Sequence, residues 1–214
     1  MIGFEVKVNQ EQVRDALALF EFVGGNADEA LRVAINKAGP KIRTLSSKRI
    51  REEINVTAGF LSETDSSGRK RLDFVRATRN NLSGAVRTQS RGLLLSHFEH
   101  GAKASLLGGI FTPSYPIKVR VKKGAGQIKQ VKGGPDVYGE PFYIRLRNSN
   151  AVGIGMWRRS PGVRGGRVEV LYGPSVSQVF RKAKDEIAPE ANTELTEQML
   201  SAMNFLVKKQ HPKE

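Results

Sequence analysis

Apolar residues recur along this chain with two different periods. Ile2, Phe4, Val6 and Val8 alternate with Gly3, Glu5, Lys7 and Asn9, which predicts a short opening strand. The period then lengthens. Asn9 caps a first predicted helix with Val13, Leu17 and Phe20 on its buried side, and Gly24-Gly25 ends it. From Asn26 or Asp28 a longer helix carries Leu31, Ile35, Ala38, Ile42, Leu45, Ile50 and Ile54 in approximately one stripe, with Pro40 inside it predicting a kink or a restart. Thr57 caps a short turn through Phe60-Leu61, and the polar run Glu63 to Lys70 reads as a flexible loop.

Beyond Leu72 the period approaches two. Leu72 to Ala77, Leu82 to Arg87 and Leu93 to Phe98 read as strands, the first two joined by a turn at Arg79-Asn80-Asn81. Gly101 to Pro113 is loop-like, Tyr115 to Val121 alternates again, and Lys122 to Gly139 is a basic, glycine-containing excursion. Phe142 to Leu146, Val152 to Trp157 and Arg167 to Tyr172 then predict a three-stranded meander, with turns at Asn148-Ser149-Asn150 and Ser160 to Gly166. Gly173-Pro174 closes this sheet and opens a helix, proline being tolerated in the first helical turn. Val176, Val179, Phe180, Ala183 and Ile187 follow at helical spacing. Pro189 kinks that helix or begins another, whose stripe is Leu195, Met199, Ala202 and Leu206.

The predicted class is α+β, with N-terminal helices, a central mostly antiparallel β-sheet and C-terminal helices. We expect one domain over 1–214: a helical part about 1–63, a β-rich middle about 72–172 and a helical end about 174–207. At 214 residues the chain can enclose one substantial core.

Charge changes this picture. Thirty-five Lys and Arg oppose 21 Asp and Glu, a net charge of +14 that makes nucleic acid or another acidic partner an expectation. Between Pro116 and Leu171 stand twelve cations against three carboxylates, so nine of the fourteen excess charges lie in the β-rich middle. The candidate contact residues are Lys118, Arg120, Lys122, Lys123, Arg145, Arg147, Arg158 and Arg159, on one basic sheet face. Tyr143 and Trp157 lie among them. They are either stacking platforms for a single strand or core residues of a half-buried sheet. Arg32, Lys37, Lys41, Arg43, Lys48, Arg49 and Arg51 form a basic helix face, read as either a solvated face or a partner contact.

Catalytic chemistry finds no foothold. The absence of cysteine removes disulfides, thiol nucleophiles and Cys-ligated zinc, and fits a reducing compartment. His97, Glu99 and His100 lack a further ligand at a recognisable spacing, so no metal and no other cofactor is expected. Neither a Gly-x-Ser-x-Gly elbow nor a P-loop is present, and Gly153-Ile154-Gly155 lacks the third glycine of a dinucleotide loop. Glu52-Glu53 and Asp185-Glu186 read as salt-bridging surface pairs. No apolar run reaches the roughly 18–20 residues needed to span a bilayer, and Met1 to Val8 lacks the plan of a signal peptide.

Two separated blocks resemble one family. Ala34-Ile35-Asn36-Lys37-Ala38, continuing through Arg43, Arg49 and Glu53 to Asn55-Val56, is similar to the opening of the minor tail protein Z family of tailed phages and prophages. So is the corner Val170-Leu171-Tyr172-Gly173-Pro174-Ser175-Val176-Ser177-Gln178-Val179-Phe180. The resemblance implies a non-enzymatic tail completion protein of the virion, assembled in the bacterial host cytoplasm at the head-proximal end of the tail. Its implied partners are other tail proteins, namely tube, terminator or neck ring, and further copies of itself in a ring, with a DNA contact and no membrane. The fold it implies is like that of phage tail-completion and neck proteins. The alternative is a free-standing nucleic-acid-binding module.

Overall fold

A computed structural model describes residues 27–64, 68–100, 116–124, 126, 128–132, 137–146, 151–158 and 167–210. The strand expected over Ile2 to Val8, the helix after Asn9 and the loop from Gly101 lie outside these residues, as do both meander turns. The class is α+β, with long helices towards either end and small antiparallel sheets between them. The described residues fall into two compact units. One lies within Met1–Ile50, Ala58–Ser90 and Val176–Glu214, the other within Arg51–Thr57 and Arg91–Ser175.

The first unit is built on two antiparallel helices, α1 (Ala27–Glu53) and α3 (Val176–Gln210). Asp28 and Glu29 in the first turn of α1 suit the positive end of its dipole. Ile35, Ala38, Ile42, Ile50 and Ile54 of the expected stripe are buried, but Leu31 and Leu45 are only half-buried, and Ala27, Ala30 and Ala34 extend the buried line instead. Small residues let a neighbouring element approach closely, which is why alanine displaces leucine there. Lys41 pairs with Glu194 at 2.6 Å, and Arg49 lies 3.9 Å from Glu186. Eight residues forward on α1 thus match eight backward on α3. Met203 and Leu206 packed on Ala27 and Ala30 extend the same antiparallel order. On α3 the buried line Val176, Val179, Phe180, Ala183, Ile187, Ala191, Leu195, Met199 and Ala202 matches the predicted stripe.

Neither proline ends its helix. Pro40 and Pro189 are both exposed within continuous helices, where water can satisfy the carbonyl that loses its N–H partner. The short helix α2 (Ala58–Ser62) follows Thr57 as expected, and the Glu63 to Lys70 stretch is closed by an antiparallel bridge between Thr64 and Lys70. Arg71 holds it in place: its guanidinium lies 3.9 Å from the Phe60 ring centroid and donates to the Phe60 carbonyl and to Glu63.

The hairpin of this unit pairs β1 (Leu72–Val75) with β2 (Ala85–Thr88), Phe74 opposite Val86. Asn36 anchors the chain beyond it. Its side-chain amide donates to the Ala77 carbonyl at 3.0 Å and its oxygen accepts from the Ala77 N–H at 2.9 Å, so both backbone groups of a buried residue are satisfied by one α1 side chain.

In the second unit the expected meander forms, as β6 (Val137–Arg145), β7 (Val152–Arg158) and β8 (Arg167–Val170) in sequence order. β6 begins inside the stretch read as an excursion. Two extra residues bulge from it between Tyr138 and Phe142, where Pro141 cannot donate to a ladder. The meander does not end at Tyr172. The Leu171 N–H donates to Ile154 and its carbonyl accepts from Leu95, and at this residue the chain changes sheets. Strand β9 (Tyr172–Ser175) pairs with β3 (Gly92–Leu94), and a 3-10 turn over Leu95–Phe98 replaces the strand expected there. Pro174 therefore lies in a strand, and α3 starts two residues later than expected. A two-stranded sheet leaves each strand one unpaired edge, where the missing N–H costs nothing. Gly173 fits because a Cβ there would stand 2.6 Å from the buried Phe98 ring.

Candidate nucleic-acid interface

The cations gather most densely on a separate hairpin. β4 (Lys118–Val119) and β5 (Lys129–Gln130) pair with Lys118 opposite Gln130 and Val119 opposite Lys129. Ile117, Val119 and Val131 are buried and root the hairpin. The Val131 N–H donates to Ile117, His100 to Lys118, Arg120 to Phe98 and Asn55 to Val121, so its base is tied on both sides. Residues 116–132 carry Lys118, Arg120, Lys122, Lys123, Lys129 and Lys132 and no Asp or Glu. All five lysines are exposed, and among the described residues no carboxylate pairs with them. The register sets no two cations directly opposite each other, which keeps like-charge repulsion low. Arg120 is half-buried and its Nε has no partner among the described residues.

The other expected contact residues are elsewhere. Arg145 stands opposite Val152 and Arg158 opposite Val137, at opposite ends of the β6–β7 ladder. Six residues along β7 correspond to roughly 20 Å. Arg147 and Arg159 lie outside the described residues. The expectation of one basic sheet face is thus corrected, because β4 and β6 belong to different sheets, and Arg145 and Arg158 stand at the two ends of a β6–β8 face whose centre is apolar. This first face of the β6–β8 sheet buries Tyr143, Ile154 and Met156. On its second, Phe142, Ile144 and Val168 close over Gly155, and Leu146, Val170 and Leu94 over Gly153. Alternation of apolar and basic residues at Phe142 to Leu146 suggested a wet face, but the face that Arg145 shares with Tyr143 is buried at its centre, while the glycines of the central strand lie on the other face against Phe142, Ile144 and Leu146.

Tyr143 is no stacking platform, being only 6% exposed. Its hydroxyl donates a hydrogen bond to the Glu99 carboxylate. Burial first, then that hydrogen bond and the carboxylate charge, hold the hydroxyl well above the ordinary tyrosine range. Among the described residues no three His, Asp or Glu side chains converge as metal ligands.

The basic face of α1 is largely spoken for. Arg32 pairs with Glu29, Lys41 with Glu194 and Arg49 with Glu186. Arg43 donates from Nε to the Leu72 carbonyl at 3.0 Å and to the Ser62 hydroxyl at 2.9 Å. These four were expected on a solvated or partner-binding face, and the signals against it were Glu29 three residues before Arg32 and the acids eight residues apart on α3. Lys37 and Lys48 remain exposed. No protein-family model matches the chain, and no significant match is found among curated proteins or solved structures.

Proposed function

We propose that this chain is a non-enzymatic assembly protein that completes a phage tail at its head-proximal end, where its β-rich unit presents positive charge to DNA. The single observation that carries the electrostatic part is the hairpin of residues 116–132, whose five exposed lysines have no carboxylate partner among the described residues. A protein that needed its charge only for internal cohesion would tie it up, as the Arg32, Lys41 and Arg49 pairs do on α1. The assembly part is supported by the two blocks that resemble the minor tail protein Z family. Asn36 in the first pins Ala77, and Tyr172-Gly173-Pro174 in the second forms a strand over Phe98, so both blocks carry constraints specific to this fold.

Interrupting the reading frame in the genome that encodes the chain tests this role. Electron micrographs should then show particles with defective or unjoined tails, and the infectious titre should collapse. Normal particles at normal titre would contradict it. The second reading, a free-standing nucleic-acid-binding module, is favoured by the same hairpin. It requires tight binding of short DNA or RNA by the isolated chain and no effect on particles.

A further inference from the structure

We infer that the β4–β5 hairpin is a phosphate-backbone contact for double-stranded nucleic acid, acting as one element without Arg145 or Arg158. The inference deepens the DNA contact proposed above and rests on that reading for the duplex being DNA. Three features carry it. The first is geometric: β4 and β5 form a two-stranded ribbon, a kind of element that a major groove admits, and its base is fixed by buried Ile117, Val119 and Val131 while its lysines stay exposed. Lys118 lies on the side away from that anchor, and Lys122 and Lys123 continue beyond β4 towards the tip, where Gly124 holds φ 113°, a turn conformation that other residues resist.

The second is chemical. Five of the six cations are lysines, compact hydrated point charges without the planar fork that reads bases bidentately, so the contact is independent of sequence. The third is what the ribbon lacks. Residues 116–132 contain no Phe, Tyr or Trp, and the nearby Tyr143 is buried on Glu99, so the base-stacking platform that single-strand binders use is missing from the hairpin. An acidic protein surface is a weaker match, since it would favour forked arginines for bidentate carboxylate pairing.

The test is fluorescence anisotropy of the full chain with a labelled 20-base-pair DNA duplex, across 50 to 200 mM salt. A quadruple variant, K122Q/K123Q/K129Q/K132Q, is compared with K37Q/K48Q/R181Q/K182Q, which removes the same charge from exposed positions of the helical unit. A K122Q/K123Q double variant covers the case in which the quadruple one fails to fold. Losing four phosphate contacts should flatten the slope of log affinity against log salt by about 3–4 and weaken binding at 100 mM salt by at least roughly 100-fold. The helical-unit variant should stay within about 10-fold of the parent.

Equal losses in both quadruple variants would overturn the inference in favour of bulk charge. It is also overturned if a 20-nucleotide single strand, poly-glutamate or vesicles with anionic headgroups bind more tightly than the duplex at equal salt. No duplex binding by the parent chain overturns it too. If particles still need the chain in that case, the assembly role stands without this contact.

Discussion

Gly39 makes a sharp test of the packing between α1 and the β1–β2 hairpin. Replacing an interior helical glycine with alanine ordinarily stabilises a helix by up to about 1 kcal/mol. Here a Cβ on residue 39 would overlap the Phe74 ring. It would also meet the ring of Pro40, because a proline disfavours helical backbone at a preceding residue that carries a Cβ. Overpacking of this kind costs about 1–3 kcal/mol, and since three carbons of the Phe74 ring would be overlapped at once the upper part of that range applies. Gly39→Ala should therefore destabilise by about 1–2 kcal/mol net, the propensity gain being outweighed. That is a fall of about 2–8 °C in Tm for a chain of this length. In a Phe74→Ala background the same change should be neutral or stabilising, giving a coupling of about 2 kcal/mol. Urea unfolding followed by circular dichroism at 222 nm measures all four proteins. A Gly39→Ala variant more stable than its parent would refute the reasoning.

Three further substitutions test separate contacts. Asn36→Ala strands the buried N–H and carbonyl of Ala77 and should cost about 2–4 kcal/mol in the same unfolding assay, and Asn36→Asp should lose more at pH 7 than at pH 3 because its carboxylate then faces a carbonyl. Tyr143→Phe removes the hydrogen bond to half-exposed Glu99 and should cost about 1.5 kcal/mol. Because folding raises the Tyr143 hydroxyl's affinity for its proton, its stabilisation is complete below the ordinary tyrosine range near pH 10 and is lost as pH rises above it. Stability of the parent should thus fall more steeply than that of Tyr143→Phe above about pH 10. Pro189→Ala restores an N–H inside α3 and should stabilise by about 2 kcal/mol, after part of proline's helix penalty of about 3 is offset by a looser unfolded chain.

Long elements with one dominant period were legible in the sequence. The α3 stripe from Val176 to Ala202 and the β6–β8 meander stand where the spacing put them, because burial on one face or in one ladder leaves a regular mark. What was not legible depends on partners distant in the chain. Nothing near Tyr172-Gly173-Pro174 announces that these residues leave one sheet to pair with Gly92–Leu94, and the proline there signals a helix start equally well. The roles of Arg43 and Asn36 rest on carbonyls at Leu72 and Ala77, reached only by folding. At the candidate site, the basic character of 116–132 was visible as composition. Its separation from Arg145 and Arg158 follows from the pairing of β4 with β5 alone and from the β6–β7 register, which sets those two arginines at opposite ends of the face that buries Tyr143, Ile154 and Met156.

The central claim is a place in the virion. Immunogold labelling of purified particles from the encoding phage or induced prophage, using an antibody against an exposed stretch of this chain, reads that place directly. Gold confined to the head–tail junction is the predicted result, and intact particles without label, while the protein stays free in the lysate, would contradict it.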